Sequence, residues 1–208
     1  MSILKNIDTI IFDIGNVLID IDYEIMAGEF ARIATVDFHR MITYTHQDWI
    51  FDQYEKGQIS SDQFRAALRQ YLKPEVTDEA IDTAWNSILI HYPSAKFELL
   101  KKLRKQYRIF ALSNINELHA AAIDAHVHSQ FGVPDMSSYF DHAYYSHEIG
   151  LRKPEPEIYQ LILNDRSLNP AKTLFIDDKI ENTNAAAALG IRVYHLTDRD
   201  SLVDLFDL

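Results

Sequence analysis

The pattern that most limits how this chain folds is a set of five short apolar runs, at 9–13, 108–113, 143–146, 173–177 and 192–195, rich in β-branched and aromatic residues. Helical patterns separate the later ones. Residues 94–106 place Phe97, Leu99, Leu100 and Leu103 on one face, and 155–163 do the same with Ile158, Leu161 and Ile162. Strands that are apolar on both faces and alternate with helices predict an α/β fold, a doubly wound parallel sheet covered on both sides.

The first two runs stand about ninety residues apart, far more than one crossover helix needs. The intervening stretch reads as almost entirely helical, so an α-helical cap is expected at 20–93, inserted into a core made of 1–19 and 94–208. Within it, Tyr54-Glu55-Lys56-Gly57 reads as a helix end with Gly in the left-handed position, and Ser60 with Gln63 as a capping box. Thr77 before Asp78 and Glu79 reads as another N-cap, opening a helix that carries Ala80, Ile81, Ala84, Trp85, Ile88 and Leu89. Trp49, Phe51, Tyr54, Phe64 and Tyr71 read as core of the cap. Residues 126–141, with Gly132, Pro134 and two serines, read as an irregular loop that borders the site.

Ligands of an open doubly wound sheet bind beyond the carboxyl ends of its strands. Those ends are polar here: Asp13 after the first strand, Ser113-Asn114 after the second, Asp177-Asp178 after the fourth, with Arg152-Lys153 shortly after the third. Carboxylates, a hydroxyl and a cation on one rim suit phosphoryl transfer, which needs a nucleophile, a divalent cation and positive charge or donors for phosphate oxygens.

Four ordered segments make this specific. Phe12-Asp13-Ile14-Gly15-Asn16-Val17-Leu18, Leu112-Ser113-Asn114, Gly150-Leu151-Arg152-Lys153-Pro154-Glu155-Pro156 with Ile158-Tyr159, and Phe175-Ile176-Asp177-Asp178 with Asn182 resemble the motifs of haloacid dehalogenase-like hydrolases. The wording around Asp13 and 54–60 is most similar to a bacterial group that includes an α-glucose-1-phosphate phosphatase. The resemblance implies a Rossmann-like core and a Mg2+-dependent phosphatase acting on a small phosphorylated metabolite, in which a sugar 1-phosphate is one candidate. It implies that Asp13 is the nucleophile and a metal ligand, with further metal contacts from the Gly15 carbonyl and from Asp178 or Asp177. Ser113, Asn114 and Lys153 would bind the phosphate, Ser113 and Lys153 would serve catalysis, and Asn182 would orient the acidic loop. A catalytically weakened phosphate-binding relative and a hydrolase acting at carbon are the alternatives.

One position departs from that family. Its phosphatases usually carry a second Asp two residues after the nucleophile, as general acid for the leaving alcohol, and here that residue is Gly15. Leaving groups that need little protonation, such as anomeric sugar, aryl or acyl phosphates, are therefore expected. Asp20 and Asp22 are candidates to replace the acid. His119, His126 and His128 fit no standard zinc spacing and read as solvated or loop residues.

A net charge of −11 argues against nucleic acid as a partner. Zero Cys excludes disulfides and thiolate metal sites, and the short, polar-interrupted apolar run at the N-terminus is neither a membrane span nor a cleaved leader. A cytoplasmic protein without a membrane partner is the expectation.

Overall fold

The computed structural model describes residues 3–37 and 49–206. Its main sheet contains β1 (Thr9–Phe12), β4 (Arg108–Ser113), β5 (His142–Tyr145), β6 (Thr173–Asp177) and β7 (Arg192–His195). The order is β5-β4-β1-β6-β7 and every pairing is parallel. Both faces are covered, and the alternation of side chains along β1 shows how. Ile10 and Phe12 pack with Phe97, Leu100, Leu103 and Ile123, whereas Ile11 packs on the other side with Ile158, Tyr159 and Ile162. The first set comes from α5 (Ser94–Leu103) and α6 (Glu117–Phe131), the second from α8 (Pro156–Asp165). A short α7 (Ser146–Ile149) follows β5, and α9 (Ile180–Ala188) follows β6.

The insertion has its own apolar cluster, formed from α1 (Tyr23–Ile33), α2 (Trp49–Glu55), α3 (Ser61–Arg69) and α4 (Asp78–Asn86) around Phe30, Phe51, Tyr54, Phe64 and Trp85. Tyr71 packs against it half-buried, and the side chain of Trp49 lies outside the described residues. The local signals act as expected. Gly57 adopts φ +62°, Ser60 and Gln63 make the reciprocal capping box, and the Thr77 side chain accepts from the Ala80 N–H.

Two expectations need correcting. The insertion is not helical at its ends: β2 (Asp20–Ile21) and β3 (Leu89–His91) pair antiparallel where the chain leaves and re-enters the core. Leu89 therefore sits on a strand, and its helical spacing from Trp85 carried no such information. Residues 126–141 are not a loop throughout, since α6 runs on to Phe131 before Gly132, at φ +70°, ends it. None of these residues lines the cleft described below. Among the described residues, no helix is long and apolar enough to cross a membrane.

Candidate active site

Asp13 directly follows β1 in the middle of the sheet, and its N–H still donates to the Ile176 carbonyl at 2.9 Å. The chain then folds into a tight turn in which Asn16 takes φ +54° and donates to the Ile19 carbonyl, while Leu18 and Ile19 both donate to Ile14. Burial of Val17, Leu18 and Ile19 anchors the turn. Its bonds run through the carbonyls of Ile14 and Ile19 and leave the Gly15 carbonyl out.

Lys153 joins the two sides of the site. Its ammonium lies 2.8 Å from Asp13 Oδ1 and 2.7 Å from Asp177 Oδ2, and the side chain is 1% exposed. Burial opposes the charge, but the neighbouring Asp13 and Asp177 carboxylates outweigh it and hold the Lys153 pKa above its ordinary value. Asp13 is pushed up to about 7, by burial first and then by Asp177 and Asp178, although Lys153 pulls the other way. Asp13, Asp177 and Asp178 each present an oxygen within 4.8 Å of the others. Three carboxylates against one lysine leave an excess of negative charge on hard oxygen donors, which is an environment that fits a divalent cation.

The two late acids differ in their surroundings. Asp177 is fully buried and accepts from Lys153, from both contacts of the Asn182 amide at 2.9 and 3.1 Å, and from the Lys179 N–H at 2.8 Å. Asp178 is half-buried, and Asn16 donates to its Oδ2 at 3.2 Å. The Asn16 Oδ1 in turn accepts from the Ile21 N–H, so this residue ties the turn after Asp13 to the acidic loop and to β2. Asn16 stood in the motif read from the sequence without a role.

Ser113 is buried at the end of β4. The Asn114 side chain exchanges two 2.8 Å hydrogen bonds with the Lys153 main chain, so it sets the position of Lys153. Asp20 and Asp22 do not face the site. Asp20 is buried against Lys96 and His91, at 3.2 and 3.1 Å, and Asp22 caps α1 by accepting from Glu24 and Ile25. Both carboxylates are thus engaged by groups outside the Asp13–Lys153–Asp177 cluster.

The cleft lies between the helical lobe and the core, lined by Gly15, Ser113 and Asn114 of the core and by Phe51 and Trp85 of the lobe. His119 lines it as well, which corrects the expectation of a solvated role. Its ring stacks on Trp85 at 4.8 Å and 8°, its Nε2 meets the Trp85 carbonyl at 3.0 Å and its Nδ1 meets the Asn116 amide. Burial lowers its pKa to about 4, so it is neutral, donating from Nε2 and accepting at Nδ1. His126 and His128 belong to α6 away from the cleft, where His126 stacks on Tyr92 and His128 meets the Val133 carbonyl. Tyr23, Glu55, Trp85 and His119 also line the cleft and went unnoticed as site residues in the sequence, because what brings them there is the docking of one lobe on the other.

The sequence matches the haloacid dehalogenase-like hydrolase family over residues 7–190. The chain belongs to that family. This hydrolase is 31% identical over 188 residues to the D-ribitol-5-phosphate phosphatase of Bacteroides thetaiotaomicron, covering 90% of this chain and 91% of the relative. It superposes on a variant of the HAD family enzyme BT-2542 from the same organism, solved with magnesium and inorganic phosphate. The TM-score is 0.86 at 35% identity, covering 91% of this chain and 93% of that one. A predicted HAD-like family hydrolase from Porphyromonas gingivalis gives 0.82 at 31% identity, with 90% of each chain covered.

Proposed function

We propose that this hydrolase is a magnesium-dependent phosphatase that cleaves a small phosphomonoester through an aspartyl phosphate on Asp13, with 20–93 as the cap. The observation that carries the reading is the Lys153 ammonium held between Asp13 and Asp177, with Asp178 completing a carboxylate cluster. The magnesium and phosphate bound by BT-2542 and the activity of the D-ribitol-5-phosphate phosphatase support it.

Asp13, the Gly15 carbonyl and Asp178 would hold the cation. Asp177 already has donors on both oxygens and serves to fix Lys153. The bound cation offsets negative charge on carboxylates and phosphate. The described contacts of Asp13 fall on Oδ1, from the Ile14 N–H and Lys153, which leaves Oδ2 to attack phosphorus. Ser113, the Asn114 main chain and Lys153 hold phosphate oxygens as the bond to the leaving oxygen breaks. With glycine at 15 the leaving oxygen takes its proton from solvent. Water then cleaves the acyl phosphate, releasing inorganic phosphate and restoring Asp13. Esters of acidic alcohols suit such a site. The test is release of 4-nitrophenol from its phosphate with and without magnesium, in wild type and Asp13→Asn. Magnesium-dependent turnover lost in the variant is expected; phosphate binding without turnover would point to a scaffold instead.

A further inference from the structure

We infer that the cleft selects a flat, largely apolar leaving group, so that the preferred substrates are aryl phosphates; this rests on the phosphatase reading of the same site. Three observations converge on it. The first concerns the place of the missing acid. A Cβ built on Gly15 would come 3.1 Å from Ile21 Cδ1, so an aliphatic side chain fills the space above the nucleophile turn where an acid would stand.

The second concerns the far wall. Trp85 and His119 present stacked rings whose polar atoms are already engaged inside the protein: Trp85 Nε1 with Asn116 Oδ1, His119 Nε2 with the Trp85 carbonyl, and His119 Nδ1 with the Asn116 amide. What they offer a ligand is ring surface. Phe51, stacked on Trp85 at 5.5 Å, extends it. Glu55, the carboxylate of the wall, is already paired with Arg152 at 2.8 Å.

The third is that Ile14, Ile19, Met26, Ile88, Leu89 and Ile115 make up much of the remaining lining. Hydroxyl groups of a polyol enclosed by such walls lose water without regaining partners, which weakens binding by roughly tenfold or more per group. A ring gains from the same burial. A phenol also ionises near pH 10, by analogy with the tyrosine side chain at about 10, so its departure depends far less on a donated proton.

The experiment compares kcat/KM with magnesium for phenyl, benzyl, glycerol and ribitol phosphates. Benzyl and glycerol esters both release alkyl alcohols, so their ratio reads the walls; phenyl against benzyl reads the missing acid. Benzyl phosphate should exceed glycerol phosphate by about 10- to 100-fold, the transfer preference of one buried ring, and phenyl should exceed benzyl again. Glycerol or ribitol phosphate matching benzyl phosphate would overturn the inference and leave the phosphatase standing. Absence of turnover with every ester would remove the phosphatase reading. Phenylphosphonate binding by calorimetry, compared with a polyol phosphonate, then decides the cleft's preference independently. Ile21→Asn should reduce the benzyl-to-glycerol ratio; an unchanged ratio in a folded variant also counts against the proposal.

Discussion

Arg152, the residue before Lys153, reaches into the helical lobe and places Nη1 2.8 Å from Asp52 Oδ1. Its Nη2 meets Glu55 at the same distance, while Lys56 of the lobe returns to Glu155 of the core at 2.7 Å. The loop that aims Lys153 is thus fastened to the cap by crossed ion pairs that remain partly exposed.

Arg152→Met should raise KM by roughly 3- to 10-fold with a smaller change in kcat, since each such pair contributes modestly. Screening supplies the check. The wild-type KM should climb as salt is raised to about 0.5 M, and the KM of Arg152→Met should respond less. Equal salt dependence in both proteins would contradict the fastening role.

Gly15 has room for a larger side chain once Ile21 gives way, and its backbone is not in the left-handed region. Gly15→Asp combined with Ile21→Ala should therefore speed alkyl phosphate hydrolysis, by about 10-fold or more out of the 10²–10⁴ that a general acid supplies, with little gain for phenyl phosphate. Steady-state rates on benzyl and phenyl phosphates test this.

His119 has a folded pKa of about 4, below its unfolded value of 6.5. The unfolded chain binds the proton first, so stability held above pH 6.5 is lost as pH falls from 6.5 toward 4. At pH 5 that loss is at most about 2 kcal/mol. His119→Phe keeps the stacking and removes the titration. Its urea midpoint should fall less between pH 7 and pH 5 than that of wild type; parallel losses would mean the imidazole is not the acid-sensitive group.

Two glycines should respond oppositely to Ala. At Gly57 the new Cβ would stand 2.0 Å from the His147 carbonyl oxygen at φ +62°, so this turn touches the core backbone and the substitution should lower stability by about 1–3 kcal/mol. Gly28 lies inside α1 with nothing within 4 Å, so Gly28→Ala should add about 0.5–1 kcal/mol. Thermal unfolding of the pair checks both signs.

The core was legible because its strands are apolar on both faces and end in polar residues, a pattern that secondary structure alone produces. Asp13, Lys153, Asp177 and Asp178 could be found that way, each being tied to a strand end or to the motif after one. The β2–β3 pair was not, since a strand of two or three residues carries too little period to register. Nor was the different surrounding of Asp177 and Asp178, which depends on where Asn182 and Asn16 point. Trp85 was legible as a helix residue only, and His119 was read as solvated or in a loop; their stacking is a product of how α4 lies on α6.

The central place of β1 gives Asp13 a mechanical advantage. Hydrogen-bonded to β4 on one side and β6 on the other, this strand loses its amide protection only when the whole sheet parts. Asp13 is thereby held in register by the sheet itself, whereas Lys153 is positioned through Asn114 and through the neighbouring Arg152, so the two members of the pair answer to different parts of the molecule.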